Sequence, residues 1–139
     1  MKVSAARYLI DAGPLVGALS AADQWHNWST DVIATLDEPV FTTETVFAEA
    51  CHLLRSEKPA IQALIRQVSE RRLNLIPIWE SDGARAAALL AKYDFMDAGD
   101  ASLVVLSEKF PRAKIITTDV RHFTVYRRSR DVTLPLIHP

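Results

Sequence analysis

Apolar residues along this chain fall into two rhythms, short continuous runs and longer stretches repeating at three and four, and their alternation predicts strands and helices in turn. Tyr8-Leu9-Ile10 is the first strand candidate. Asp11-Ala12-Gly13-Pro14 ends it, since Gly permits an unusual turn and Pro suits the first turn of a helix. Trp25, Trp28, Val32 and Leu36 share one face of a helix expected over Trp25 to Leu36, and Val40 to Thr42 follows as a second strand. Val46, Ala50, Leu53 and Leu54, with the adjoining stripe of Phe47, Cys51 and Leu54, predict a well-buried helix over Thr45 to Arg55. The next helix begins near Pro59, with Ile61, Ile65 and Val68 on its buried face. Leu73 to Ile78 reads as a third strand with Pro77 near its end, and Ser81 is placed to cap the Ala- and Leu-rich run to Tyr93. Ala101 to Phe110 gives a further helix, Lys114 to Thr118 a fourth strand, and Leu134 to Ile137 a short edge-strand candidate.

Strands alternating with helices favour an α/β fold, because parallel neighbours need helical crossovers to return the chain. The expected architecture is a three-layer α/β/α sandwich with a mainly parallel central sheet. Ligand sites in such sheets gather beyond the C-terminal strand ends, so acids at those ends carry information. With 139 residues, one domain over 1–139 is expected, and 49% hydrophobic against 24% charged residues argues against disorder. Charge is nearly balanced at -1, so any nucleic-acid site must come from local sorting of charge. Cys51 is the only cysteine, which excludes a disulfide framework and a multi-thiolate zinc site. No apolar run approaches the roughly 18 residues of a membrane span. Met1 to Arg7 lacks a secretory apolar stretch and leads straight into the first strand candidate, so the chain reads as cytoplasmic.

Asp11 directly follows the first strand and Asp119 directly follows the fourth, which places two carboxylates on one rim of the sheet. Asp97 and Asp100 sit just ahead of an apolar helix, where acids also favour the positive end of the helix dipole. Glu49 lies among small and apolar neighbours, and burial there would demand a partner. Taken singly, each acid has an ordinary structural explanation: Asp97 and Asp100 as helix caps, Asp119 as a turn former, Glu49 as a solvated helix residue. Joint placement changes the weighing. Converging acids repel one another, and a hard cation with oxygen ligands is what compensates such a set, magnesium or manganese being the natural choice.

At this point the chain resembles the PIN-domain ribonucleases, especially the VapC toxins of bacterial type II toxin-antitoxin pairs. The resemblance spans nearly the whole chain. It is carried by Leu9-Ile10-Asp11, by Val46-Phe47-Ala48-Glu49-Ala50, by Met96-Asp97-Ala98-Gly99-Asp100-Ala101-Ser102-Leu103-Val104, and by Thr117-Thr118-Asp119-Val120-Arg121-His122-Phe123. It implies a PIN-like fold and a metal-dependent endoribonuclease whose acidic pocket is Asp11, Glu49, Asp100 and Asp119, with Asp97 as an extra acid. Glu44, at the end of the second strand, is geometrically eligible too, and the family pattern alone favours Glu49. A polar residue often follows the first acid in the family, whereas Ala12 and Gly13 stand there in this chain.

The resemblance further implies Mg2+ or Mn2+ as cofactor, products with a 5'-phosphate and a 3'-hydroxyl, a small antitoxin partner that covers the pocket, and a homodimer. In the expected mechanism Asp11 and Asp100 hold the principal metal, while Asp119 and Glu49 position a second ion or the attacking water. An acidic pocket does not attract RNA by itself. From Lys109 to Arg130 seven Lys and Arg residues stand against the single acid Asp119, and Arg121, Arg127, Arg128 and Arg130 are the candidate phosphate contacts. Phe123 and Tyr126 are read as packing residues. Cys51-His52 is read as inert, because adjacent helical side chains point in different directions, and the role of His122 stays open. No second Asp two residues after Asp11 supports a haloacid-dehalogenase-type phosphatase, and no P-loop is present. The rival class is a PIN-like module that has lost catalysis and binds RNA or protein.

Overall fold

The computed structural model describes residues 6–139. The expectation that Met1 to Ala5 lead without a signal segment into the first strand lies outside the described residues. The elements run β1 (Tyr8–Ile10), α1 (Ala12–Leu19), α2 (His26–Ala34), β2 (Val40–Thr43), α3 (Glu44–Leu53), α4 (Lys58–Ser69), β3 (Leu73–Ile76), α5 (Trp79–Lys92), α6 (Ala98–Lys109), β4 (Lys114–Ile116), α7 (Val120–Phe123), β5 (Arg127–Arg128), β6 (Val132–Thr133) and β7 (Leu136–Ile137). Five strands form one sheet in the order β3-β2-β1-β4-β7, and every adjacent pair is parallel. This is the α/β sandwich expected from the alternation of elements.

The chain moves outward from β1 through β2 to β3, then returns across the sheet to place β4 on the other side of β1. Right-handed crossovers therefore put α1 to α4 on one face and α5 and α6 on the other. The direction of travel reverses between β1 and β4. At such a switch point the loops beyond the strand ends diverge and leave a crevice, and residues 11 and 117–119 border it.

Packing explains which helices approach that crevice. Along α6, every residue from Ala101 to Ser107 is buried, so this helix is apolar all round and runs through the core. Its N-terminal turn is thereby fixed at the rim. Thr43 ends β2 and caps α3, its Oγ1 accepting from the Val46 N–H at 3.2 Å. The same hydroxyl lies 2.7 Å from Ser102 Oγ, which donates to the Gly99 carbonyl. These buried hydroxyls tie the start of α3 to the start of α6, and α3 packs against both α1 and α6.

Three local expectations are corrected. In α4 the buried position is Leu64, 1% exposed, whereas Ile65 is 49% exposed; Ile61, Leu64 and Val68 form the inward stripe, and Ile65 lies about 100° further round. Leu53, at the end of α3, is exposed beside a fully buried Leu54 for the same reason of helical phase. Ser81 does not cap α5, which begins two residues earlier at Trp79. Its hydroxyl donates instead to Asp82, whose non-helical backbone kinks the first turn. An antiparallel ribbon of β5 and β6 is added by the fold, turned by Arg130 and Asp131 at φ 62.

Candidate active site

Asp11 leaves β1 as the N-cap of α1. Its Oδ1 accepts from the Ala12 N–H at 2.8 Å, and its Oδ2 accepts from Thr117 Oγ1, also at 2.8 Å. Thr117 in turn accepts from the Asp119 N–H at 3.0 Å, so one buried hydroxyl links the acids that follow β1 and β4. Asp119 caps α7: its Oδ1 accepts from the His122 N–H at 3.2 Å, and its Oδ2 lies 2.9 Å from His122 Nδ1. Asp97 caps α6 by accepting from the Asp100 N–H at 2.8 Å. Asp100 accepts from the Tyr126 hydroxyl at 2.5 Å. Asp11, Asp97 and Asp119 thus each cap a helix; capping is the sequence-based expectation for Asp97 and Asp100, but Asp100 lies inside the first turn of α6, and the charges of all five acids act on one another.

Two glycines make the approach possible. A Cβ on Gly13 would collide with Thr118 Oγ1, and a Cβ on Gly99 would stand 3.1 Å from Glu49 Oε2 and 3.4 Å from Asp97 Oδ1. Glu49, half-buried on α3, is thereby brought against the first turn of α6. Glu44 behaves differently. It is exposed and lines a separate hollow of about 410 Å³ with Trp79 and Ile76, away from the other acids.

The proximity of the acids is expressed in their acidities. Burial pushes Asp11 up to about 6; hydrogen bonds from Thr117 and Ala12 oppose it, and the charges of Glu49 and Asp119 add to it. Asp100 is pushed up to about 7, first by burial, against the Tyr126 hydrogen bond and with the repulsion of Asp97, Asp11 and Asp119. Glu49 is also raised, by burial and then by Asp97 and Asp100. Burial and the bond to Asp100 raise Tyr126 well above the ordinary phenol range, which keeps it a neutral donor. Among the described residues no Lys or Arg forms an ion pair with any of the five.

Such a cluster offers only hard oxygen donors and lacks compensating charge, which suits a divalent cation such as magnesium. Among the described residues no three His, Cys, Asp or Glu side chains stand close enough to enclose an ion. Magnesium does not require that: it keeps several waters and is commonly held by one or two carboxylates. The donor set therefore fits. A hollow of about 470 Å³, lined by Leu15, Leu19, Leu36, Leu64 and Leu73 among others, contains none of these five acids.

The candidate cations separate into two kinds. Arg127 donates to the carbonyls of Thr124, Val125 and Tyr126, and Arg128 to those of Ser107 and Pro111, so both guanidinium groups brace the backbone. Arg121 and Arg130 are exposed and, among the described residues, make no side-chain hydrogen bond or ion pair. Cys51 is half-buried, and burial raises its thiol, in keeping with an inert packing residue. Sequence reasoning missed Phe95. It is 48% exposed and lies in the loop before α6, with its ring stacked on His122 at 4.8 Å. A single Phe in a loop gives no signal of that kind until α7 is folded against it.

A family model for the PIN domain matches residues 8–128. The chain belongs to the PIN-domain family. Among solved structures this PIN domain is similar to VapC20 of Mycobacterium tuberculosis, a sarcin-ricin loop cleaving toxin, with a TM-score of 0.67 and 17% identity over 73% of this chain and 82% of that one. It is also similar to VapBC2 of Rickettsia felis bound to a DNA fragment from its promoter, with a TM-score of 0.64 and 14% identity over 95% of this chain and 98% of that one. At those identities the likeness concerns the fold. A comparison with curated proteins found no match. Among the described residues of the PIN domain no helix is long and apolar enough to cross a membrane.

Proposed function

We infer that this PIN domain is a metal-dependent endoribonuclease, the toxin of a type II toxin-antitoxin pair acting in the cytoplasm. The supporting observation is the set of five acids, Asp11, Glu49, Asp97, Asp100 and Asp119, gathered at the switch point of a parallel sheet with no Lys or Arg partner among the described residues. Asp11 and Asp100 are the residues that would hold Mg2+ or Mn2+, being the most buried and the most strongly destabilised as free carboxylates. A bound divalent ion supplies charge neutralisation at the scissile phosphate and sharpens the acidity of water.

The chain's own residues do the rest. Thr117 and the Ala12 N–H fix the Asp11 carboxylate, and Tyr126 fixes that of Asp100. Glu49 accepts no hydrogen bond among the described residues, so its oxygens remain available to orient the attacking water. Asp119, held by His122, is the second group placed to receive a proton. Of the four candidate arginines, Arg121 and Arg130 are the two whose side chains have no partner among the described residues, and they are the ones proposed to meet flanking phosphates. The similarity to VapC20 and VapBC2 supports, for this chain, an RNA substrate and a small antitoxin partner; a homodimer belongs to the same reading as a proposal.

Cleavage of total RNA by the purified protein tests the chemistry. Mg2+ or Mn2+ should be required, EDTA should abolish the reaction, and products should carry a 5'-phosphate and a 3'-hydroxyl. Asp11→Asn and Asp100→Asn should each remove cleavage without unfolding the protein. Undiminished cleavage by both variants would overturn the assignment, and RNA binding without cleavage under every condition would leave a binding module.

A further inference from the structure

Beside the acids, three rings lie nearly parallel. Phe95 stacks on His122 at 4.8 Å and 21° and on Tyr126 at 5.6 Å and 17°, while His122 and Tyr126 lie 6.4 Å apart at 26°. Tyr126 is fully buried and wedged edge-on by Tyr93 at 5.1 Å and Phe123 at 5.2 Å, so the lower part of the stack has little freedom. Its polar ends are committed to the site: Tyr126 donates to Asp100 and His122 holds Asp119. Phe95 is the most exposed of the three rings, at 48%, with His122 partly exposed beside it. A half-exposed Phe is common on protein surfaces and needs no explanation by itself. This one differs because two rings hydrogen-bonded to the pocket acids clamp it flat. Its free face therefore lies at the edge of the site.

We propose that Phe95 is a stacking platform for an unpaired nucleobase of the RNA substrate, next to the acidic pocket in which the scissile phosphate would lie. The proposal rests on the ribonuclease reading and adds a positioning residue for its substrate. Stacking requires a base that is not paired in a helix, which points to single-stranded or looped RNA. Because every base offers a π face, the platform positions the strand with little preference for its identity. Phe95 is a positioning residue, and the acids perform the chemistry.

The test uses the full chain and a hairpin oligoribonucleotide with an unpaired loop, carrying the fluorescent base 2-aminopurine at each loop position in turn. Binding is followed in Ca2+ and in EDTA, and cleavage separately in Mg2+. Phe95→Leu keeps an apolar cover over His122 and Tyr126 but removes the π face; Phe95→Trp keeps the π face. One loop position should be quenched by the native protein and by Phe95→Trp, and not by Phe95→Leu. Affinity of Phe95→Leu should fall roughly tenfold, within the range found for single base-aromatic stacks. An abasic analogue at that position should cost the native protein the same factor and cost Phe95→Leu nothing further. Equal quenching and affinity in native and Phe95→Leu proteins would overturn the platform. So would an equal loss on base-bearing and abasic RNA, which marks a merely structural role. Cleavage retained alongside either result would leave the ribonuclease reading standing; no binding and no cleavage by the native protein would remove both.

Discussion

Replacing Asp11 by Asn should stabilise the metal-free protein, and should do so only above the acid range. Asn preserves the local bonding. Its side-chain oxygen can accept from the Ala12 N–H, where Asp11 accepts at 2.8 Å, and Asn caps helices as well as Asp does. Its amide can donate to Thr117 Oγ1, which in the native chain donates to Asp11. What disappears is a charge on a residue only 8% exposed. Burial, with the nearby charges of Glu49 and Asp119, holds Asp11 at about 6 against the usual 3.8. At about 1.36 kcal/mol per pKa unit, ionising this group in the folded protein costs about 3 kcal/mol. The folded chain binds the proton more tightly than the unfolded chain, so this contribution is fully favourable below 3.8 and is lost as pH rises through about 6. Asn has no proton to lose. Urea unfolding in EDTA should give equal stabilities at about pH 4 and an advantage to the variant approaching about 3 kcal/mol at about pH 8. Added Mg2+ should narrow the gap, since an ion bound only by the native fold stabilises it. A variant no more stable than the native chain at about pH 8, or one with the same advantage at both pH values, would refute the reasoning.

Other perturbations test the supports of the site. Gly13→Ala should cost about 1–3 kcal/mol through the collision with Thr118 Oγ1, and adding Thr118→Ala should recover most of it, a non-additivity read from a double-mutant cycle. Ser102→Ala takes a buried partner from Thr43 and from the Gly99 carbonyl; denaturant unfolding should register a loss of about 1–3 kcal/mol. Leu64→Ala should cost about 2–5 kcal/mol, whereas Ile65→Ala should stay within about 0.5 kcal/mol, and the reverse order would return α4 to the orientation expected from the sequence.

Much of the sheet was legible because β1, β2 and β4 are short apolar runs ended by polar residues or turn formers, and the helices between them repeat at three and four. The phase of a helix was less so. Ile61, Ile65 and Val68 satisfy helical spacing as well as Ile61, Leu64 and Val68 do, and only packing chooses between the two sets. The ribbon of β5 and β6 escaped notice because its strands have two residues each and its turn uses Arg130 and Asp131, where Gly or Asn would have signalled positive φ. Strand-end position pointed to Asp11 and Asp119 directly. Glu49 and Glu44 were separable from the residues alone only by family pattern; in the folded chain Glu49 faces Asp97 and Asp100, while Glu44 lies beside Trp79. The stack of Phe95, His122 and Tyr126 joins a loop, a short helix and the segment after it, and no local pattern encodes such a meeting.

The placement of β4 between β1 and β7 sets an order on biosynthesis. A growing polypeptide emerging from the ribosome displays Asp11 and Glu49 long before Asp119 exists, yet the crevice closes only when Lys114–Ile116 threads beside Tyr8–Ile10. That pairing joins segments more than a hundred positions apart (Tyr8 with Lys114), the kind of distant closure that slows folding. The acidic crevice would therefore assemble late, only once residues 114–119 have been translated.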